Sequence, residues 1–268
     1  MPPAETAAVL TVFEDAAAGG ATNMAADELL AEEAAARGGM LLRLYTWSRP
    51  TLSLGGFQKL ADAEPLARTA GIDLVRRPSG GGAILHGTDQ TYAAAVSRGH
   101  PLAGSPQQLY DALHTAAVDV LAEVGLDAAM VAAATGVGSG ESAPDGPLLC
   151  FDRRAVGDVV VGQHKVLGSA QRRLAGSILQ HGSLLLGQCD QAGPSATRPG
   201  LAELAAANPA AASLAFGAGP LVRRWLERLA MSLGMTCEFA GPFLVGAMAD
   251  RVAERAERFR SAAWLGRR

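Results

Sequence analysis

Four short apolar segments, 41–47, 51–57, 72–77 and 91–96, crowd together so closely that only residues 59–70 among them leave room for a helix. Parallel neighbours in a sheet need a crossover of a dozen or more residues, so strands spaced this way must pair largely antiparallel. The pattern resumes later in the chain. Residues 158–161 and 165–168 face each other across Gly162-Gln163, with Gly in the first position of a type II′ turn, and 178–186 reads as another strand. Helices are expected over 23–37, capped by Asn23 with Asp27 and Glu28 near its positive end, over 105–124 and over 221–233. The spacing predicts an α+β fold, a mixed, largely antiparallel sheet flanked by helices, in a single domain spanning 1–268. Its core covers about 9–190, residues 128–147 form a loop, and 191–268 are mostly helical.

Composition excludes several classes. With 23 basic and 26 acidic residues the net charge is −3, which argues against a nucleic-acid or membrane-surface binder. No apolar run is long enough to span a bilayer, and the opening MPPAETAAVL lacks the features of a secretion signal. Three scattered cysteines, Cys150, Cys189 and Cys237, make neither a disulfide framework nor a thiolate zinc site, so a reducing, cytoplasmic setting is expected. Among the basic residues only Lys59 and Lys165 are lysines. A merely solvated cation could equally have been arginine here, so each lysine is informative.

Four segments can carry chemistry. In Arg76-Arg77-Pro78-Ser79-Gly80-Gly81-Gly82, three glycines let the backbone approach a ligand and offer N–H groups to an anion or carbonyl; the alternative is a plain turn. Cys150, followed by Arg153 and Arg154, is either a reactive thiol or a buried structural one. Lys165 falls opposite Val160 in the hairpin register, an odd place for a long cation unless it enters a pocket. His181, inside an apolar strand, is either a pocket wall or a satisfied core residue. Neither His86 nor His181 has metal-ligand spacing to another donor, and no metal is assigned.

Taken in order, several blocks resemble the lipoate-protein ligase and octanoyltransferase family, relatives of biotin protein ligase. They are Asn23-Met24-Ala25-Ala26-Asp27-Glu28, Tyr45-Thr46-Trp47, Ser53-Leu54-Gly55-Gly56-Phe57-Gln58, the stretch from Arg76 through Gly82 to His86, Cys150-Phe151, Lys165 to Arg173, and Leu179-Gln180-His181-Gly182-Ser183. The resemblance implies the class II synthetase-like catalytic fold and an acyl tunnel roofed by the glycine loop, lined from the strands of Ile84, Val166 and Leu179. It implies Cys150 and Lys165 as catalytic residues. Arg76, Gly80, Gly81, Gly82, His86, Gly168, Ser169, Ala170 and His181 would bind substrate. Two chemistries are implied. An octanoyltransferase takes octanoate from octanoyl-acyl carrier protein through a Cys150 thioester to a lipoyl-domain lysine, in the glycine cleavage H protein or a 2-oxoacid dehydrogenase E2, without a cofactor. A lipoate-protein ligase uses ATP and Mg2+ to reach the same lysine through an adenylate. In the transferase reading Lys165 holds the thiolate and, once neutral, relays the proton of the acceptor amine. Arg153 and Arg154, or Arg172 and Arg173, would meet the acidic partners.

Overall fold

A computed structural model describes residues 8–132, 148–152, 154–174, 176–191, 193, 197–208, 211 and 218–267. Its main sheet has eight strands in the order β11-β1-β2-β6-β10-β9-β8-β7. These are β1 (Val9–Glu14), β2 (Met40–Tyr45), β6 (Asp89–Ser97), β7 (Ala128–Met130), β8 (Val159–Val161), β9 (His164–Leu174), β10 (Ser177–Leu185) and β11 (Thr236–Phe239). From β2 to β7 every pairing is antiparallel; only β1 pairs in parallel, with β2 and β11. A second sheet of three strands, β4-β3-β5, is formed by β3 (Thr51–Leu54), β4 (Asp73–Arg76) and β5 (Ile84–His86).

Strand alternation decides which helix covers which face. On β6, Tyr92, Ala94 and Val96 point into the core beneath α3 (Pro106–Glu123) and α5 (Ala218–Ser232). Ala93 and Ala95 point the other way, towards Met24, Leu29 and Leu30 of α1 (Gly20–Arg37), and their small size lets that helix approach closely. Leu221, Val222, Trp225, Leu226 and Leu229 form the buried stripe of α5. Ser105 caps α3 through a reciprocal capping box with Gln108. The small sheet packs Leu52, Leu54 and Leu85 against Ala63 and Ala67 of α2 (Leu60–Ala70). After α4 (Leu201–Ala206) and α5, helices α6 (Gly246–Arg260) and α7 (Ala262–Leu265) complete the chain. None of the described helices is long and apolar enough to cross a membrane.

Some sequence expectations are corrected. The first helix begins at Gly20, so Asn23 is not its cap. Asn23 is instead buried within α1, its amide donating to the carbonyls of Ala18 and Thr46. Segments 41–47 and 51–57 do not pair; they enter different sheets, and the turn between them carries the chain across. Residues 128–130 form edge strand β7 rather than loop, and 133–147 lie outside the described residues, as does Arg153. The C-terminal part includes one strand, β11, among its helices.

Candidate active site

The β8–β9 hairpin places a lysine where no solvated lysine belongs. Gly162 has φ +56° and Gln163 is not left-handed, as a type II′ turn requires, and Lys165 lies opposite Val160. Lys165 is 6% exposed. Its Nζ donates to Asp158 Oδ2 at 2.7 Å and lies 3.3 Å from Cys150 Sγ. Asp158 is buried too, and also accepts from the Tyr110 hydroxyl at 3.1 Å and the Ala155 amide at 2.7 Å. Burial alone would lower the Lys165 pKa, but the Cys150 sulfur and the Asp158 carboxylate outweigh it, and the pKa is raised above its ordinary value. The amine is therefore a fixed cation against the sulfur. Gly168 makes room for it: a Cβ there would come within 2.7 Å of Nζ.

Cys150 is tied to the glycine loop. Ala83 N donates to Leu148 O at 3.0 Å, and Cys150 N donates to Ala83 O at 2.6 Å. Gly82 lies so near that a Cβ on it would sit 2.9 Å from Cys150 Cα. Arg77 organises the loop from beneath. Its Nη1 donates to Ser53 O at 2.6 Å and Ser53 Oγ at 2.8 Å, and its Nη2 to Gly80 O at 3.1 Å and Gly82 O at 2.8 Å. Burial lowers the Arg77 pKa to about 10, against the opposing pull of Cys150, so it stays charged at neutral pH. With the carbonyls so engaged, the amides of Gly80, Gly81 and Gly82 have no hydrogen-bond acceptor among the described residues. Gly82 packs directly against Cys150, which puts this stretch of backbone amides next to the residue that bears the thiol.

Cys150 and Gly81 open onto a cleft of about 390 Å³, part of it open to solvent, between the two sheets. Met24, Tyr45, Trp47 and Ile84 supply its apolar wall, and Gly168, Ser169, Ala170 and Gly182 its floor. Two histidines complete it, each in a buried Asp–His–Ser chain. His86 bonds Asp89 at 2.7 Å and Ser53 at 2.7 Å, and stacks on Trp47 with ring centroids 4.0 Å apart. His181 bonds Asp27 at 2.9 Å and also the Ser79 hydroxyl. Burial lowers the His86 pKa despite Asp89, so its neutral ring donates from Nδ1 and accepts at Nε2. Burial would raise Asp89, but His86 and the hydroxyls of Ser183 and Thr91 hold it at about 2. Beneath the floor, Ser169 donates to His114 at 2.7 Å while Tyr92 donates to Ser169 at 2.6 Å. His114 Nδ1 donates to Gly157 O at 2.7 Å, and burial pushes this histidine down to about 4.

Of the site residues expected from sequence, Cys150, Lys165, Gly80, Gly81, Gly82, His86, Gly168, Ser169, Ala170 and His181 come together at this cleft or its rim. Arg76 does not. Consecutive residues at the end of β4 point to opposite sides, and Arg76 faces away, donating to the carbonyls of Leu265, Gly55 and Gln58. Its neighbour Arg77 takes the cleft side. The strands of Ile84, Val166 and Leu179 do line the cleft, through Ile84 itself, through Gly168, Ser169 and Ala170 of β9, and through His181 and Gly182 of β10, while the Val166 and Leu179 side chains are buried in the core. Asp158 carries no sequence signal of its own as a site residue; it sits one residue before β8, where the hairpin brings it to Lys165. Asp27 shows no sequence sign of its pairing, because its partner His181 is 154 residues away.

Comparison with known proteins gives a consistent picture. The family model "Lipoyl protein ligase A/B catalytic domain" matches residues 20–195. Octanoyltransferase LipM of Carboxydothermus hydrogenoformans is 36% identical over 171 residues, 62% of this chain and 61% of the relative. The protein of the same name from Kyrpidia tusciae is 42% identical over 172 residues, 62% of each chain. The matched stretch thus spans about three fifths of the length of these relatives. Among solved structures, lipoate-protein ligase A bound with ATP superposes with a TM-score of 0.71 at 18% identity, covering 97% of this chain and 98% of that one. A bi-partite lipoate protein ligase from Thermoplasma acidophilum gives 0.69 at 18% identity, covering 97% of both. These last two share the fold.

Proposed function

Because the chain belongs to the lipoyl protein ligase A/B catalytic-domain family, we propose that it is an octanoyltransferase working through a thioester on Cys150. The donor is octanoyl-acyl carrier protein. The acceptor is the lysine of a lipoyl domain, in the glycine cleavage H protein or a 2-oxoacid dehydrogenase E2. The observation that carries this reading is the 3.3 Å approach of the Lys165 amine to the Cys150 sulfur at the mouth of an apolar cleft.

The chemistry needs little more than these residues. A thiolate is the nucleophile, and a neighbouring cation favours it over the thiol. Lys165, kept charged by Asp158, is that cation. Attack on the donor's carbonyl carbon creates an oxyanion, for which the amides of Gly80 to Gly82, without an acceptor among the described residues, are the available donors. The carbonyl re-forms as the carrier sulfur leaves, and the octanoyl group stays on Cys150. Exchange of one thioester for another is nearly balanced in free energy, so no adenylate is required. The acyl chain lies along Met24, Trp47 and Ile84, where each buried CH2 contributes about 0.8 kcal/mol before the costs of binding. The resemblance further gives Lys165, once neutral, the relay of the acceptor's proton, at a stage when acylated Cys150 no longer supplies the charge that most raises its pKa.

The test offers two routes to the same lipoyl domain. With octanoyl-acyl carrier protein and no ATP, the protein should octanoylate the domain, and Cys150→Ser should do so at least about 10³-fold more slowly. Acylation that requires ATP and a free acid, and that survives Cys150→Ser, would overturn this reading in favour of the ligase.

A further inference from the structure

The acyl cleft is not the only cavity at the catalytic pair. Along β9 the cleft takes Gly168, Ser169 and Ala170, and a second cavity takes His164 and Lys165, nearer the hairpin turn. The segment that carries the thiol divides in the same way, with Cys150 on the cleft and Phe151 on the second cavity. The pair therefore stands on the border between the two. The second cavity measures about 570 Å³, part of it open to solvent, and is lined by Phe151, Arg154, Gln163, His164, Lys165 and Arg198. Three separate parts of the chain meet there: the residues after Cys150, the β8–β9 turn and the stretch before α4. Among the described residues no carboxylate lines it. Arg154 Nη2 donates to the Gln163 carbonyl and Arg198 Nη1 to the Thr197 carbonyl at 2.6 Å, which anchors both guanidiniums. The Phe151 ring lies 5.3 Å from Lys165 Nζ. With Arg198 it also borders an apolar recess of about 370 Å³, again partly open, whose walls are Leu85, Leu149 and Leu185.

Resting on the octanoyl-transfer reading above, we propose that this double cavity binds the phosphopantetheine arm of the acyl donor, with Arg154 and Arg198 holding its phosphate. A donor whose acyl chain fills the cleft must send its leaving sulfur, and the arm behind it, away from the cleft. The cavity beyond Lys165 and Phe151 is the space that receives it. Each part of the arm then meets a matching surface. Its paired methyl groups are apolar and suit the recess of Leu85, Leu149 and Leu185. Its amides meet the Gln163 side chain. Its phosphate is anionic at neutral pH, and a guanidinium offers such a group two parallel, charge-assisted N–H bonds. The phosphate takes no part in bond making, so the site contributes affinity and alignment. Carrier proteins and coenzyme A present this same arm.

The test compares donors that differ only in the phosphate. The full-length protein is acylated in single turnovers by octanoyl-phosphopantetheine or by octanoyl-pantetheine, and the acyl-enzyme is read by intact mass. The phosphorylated donor should half-saturate the wild type at a concentration at least about tenfold lower, with limiting rates within about threefold of each other. In the double variant Arg154→Gln, Arg198→Gln the two half-saturating concentrations should agree within about threefold. Both donors meet the same protein, so a general loss of reactivity cancels from the comparison. Should the double variant fail to fold, Arg154→Gln alone, at an exposed position, should narrow the difference by at least about threefold. Octanoyl-acyl carrier protein and octanoyl-coenzyme A should each bind about tenfold more weakly to the double variant, and the tighter of the two in the wild type is the source of the arm. Equal half-saturation of the wild type by the two small donors, or a difference that persists undiminished in the variants, overturns the proposal and leaves the transfer reading standing. A wild-type protein that no octanoyl thioester acylates overturns both.

Discussion

Replacing Lys165 by Ala is expected to slow formation of the acyl-enzyme by about 10³-fold, which is about 4 kcal/mol of lost transition-state stabilisation. The variant removes the only cation hydrogen-bonded to the Cys150 sulfur among the described residues. It also leaves Asp158, a buried carboxylate, with the Tyr110 hydroxyl and the Ala155 amide as its remaining donors, so negative charge near the sulfur goes unopposed. Lys165→Arg should recover less than tenfold of the loss. A guanidinium is larger and planar, and the space is tight enough that one Cβ on Gly168 would crowd the amine. Rapid mixing with octanoyl-acyl carrier protein, read by intact mass, measures both variants. A Lys165→Ala rate within tenfold of wild type would remove Lys165 from the mechanism.

The largest effect on stability is expected at Arg43, which is fully buried among groups that depend on it. Its guanidinium bonds the carboxylates of Asp15 and Asp27 and the Asn23 side chain, and lies 4.1 Å over the Tyr45 ring. Asp15 in turn accepts the amides of Phe243 and Leu244, tying the segment before α6 to β1. Removing one member of a buried ion pair costs about 3–5 kcal/mol, mainly because the abandoned charge stays buried. Here two carboxylates are abandoned. Arg43→Met, which keeps volume but not charge, should lower the melting temperature by roughly 10 °C, since each kcal/mol shifts a chain of this size by about 2–4 °C. Calorimetry checks this, and a shift below roughly 3 °C would show that the pairs contribute little.

The sequence was most legible where local chemistry and tertiary role coincide. Gly162-Gln163 set a two-residue turn, and the turn put Lys165 opposite Val160, so a scarce lysine in an apolar hairpin pointed directly at the site. Ser105 and Gln108 likewise marked the start of α3. Legibility failed where tertiary contacts overrode local signals. Asn23 has the residue type of a cap, yet it lies inside α1 and its amide serves the carbonyls of Ala18 and Thr46. β1 went unread because its outward positions, Val9 and Phe13, are also apolar and blur the alternation. β11 is half exposed and short, so it carries no strong pattern. Periodicity shows that a segment is a strand but not which sheet it joins, and so 51–57 could not be separated from 41–47. Arg76 and Arg77 show the same limit at one-residue scale, because adjacent residues of a strand face opposite ways and their phase depends on the fold. The Asp27–His181–Ser79 chain draws its members from α1, β10 and the glycine loop, and no local pattern joins them.

Transfer by this route requires Cys150 to carry the acyl group. The most direct measurement is to mix the protein with octanoyl-acyl carrier protein in the absence of ATP and of any acceptor, quench in acid, and map the adduct by peptide mass spectrometry. One octanoyl group on Cys150, labile to hydroxylamine as a thioester is, and absent from Cys150→Ser, is the expected result. An unmodified Cys150 in a protein that nevertheless acylates lipoyl domains would contradict the account.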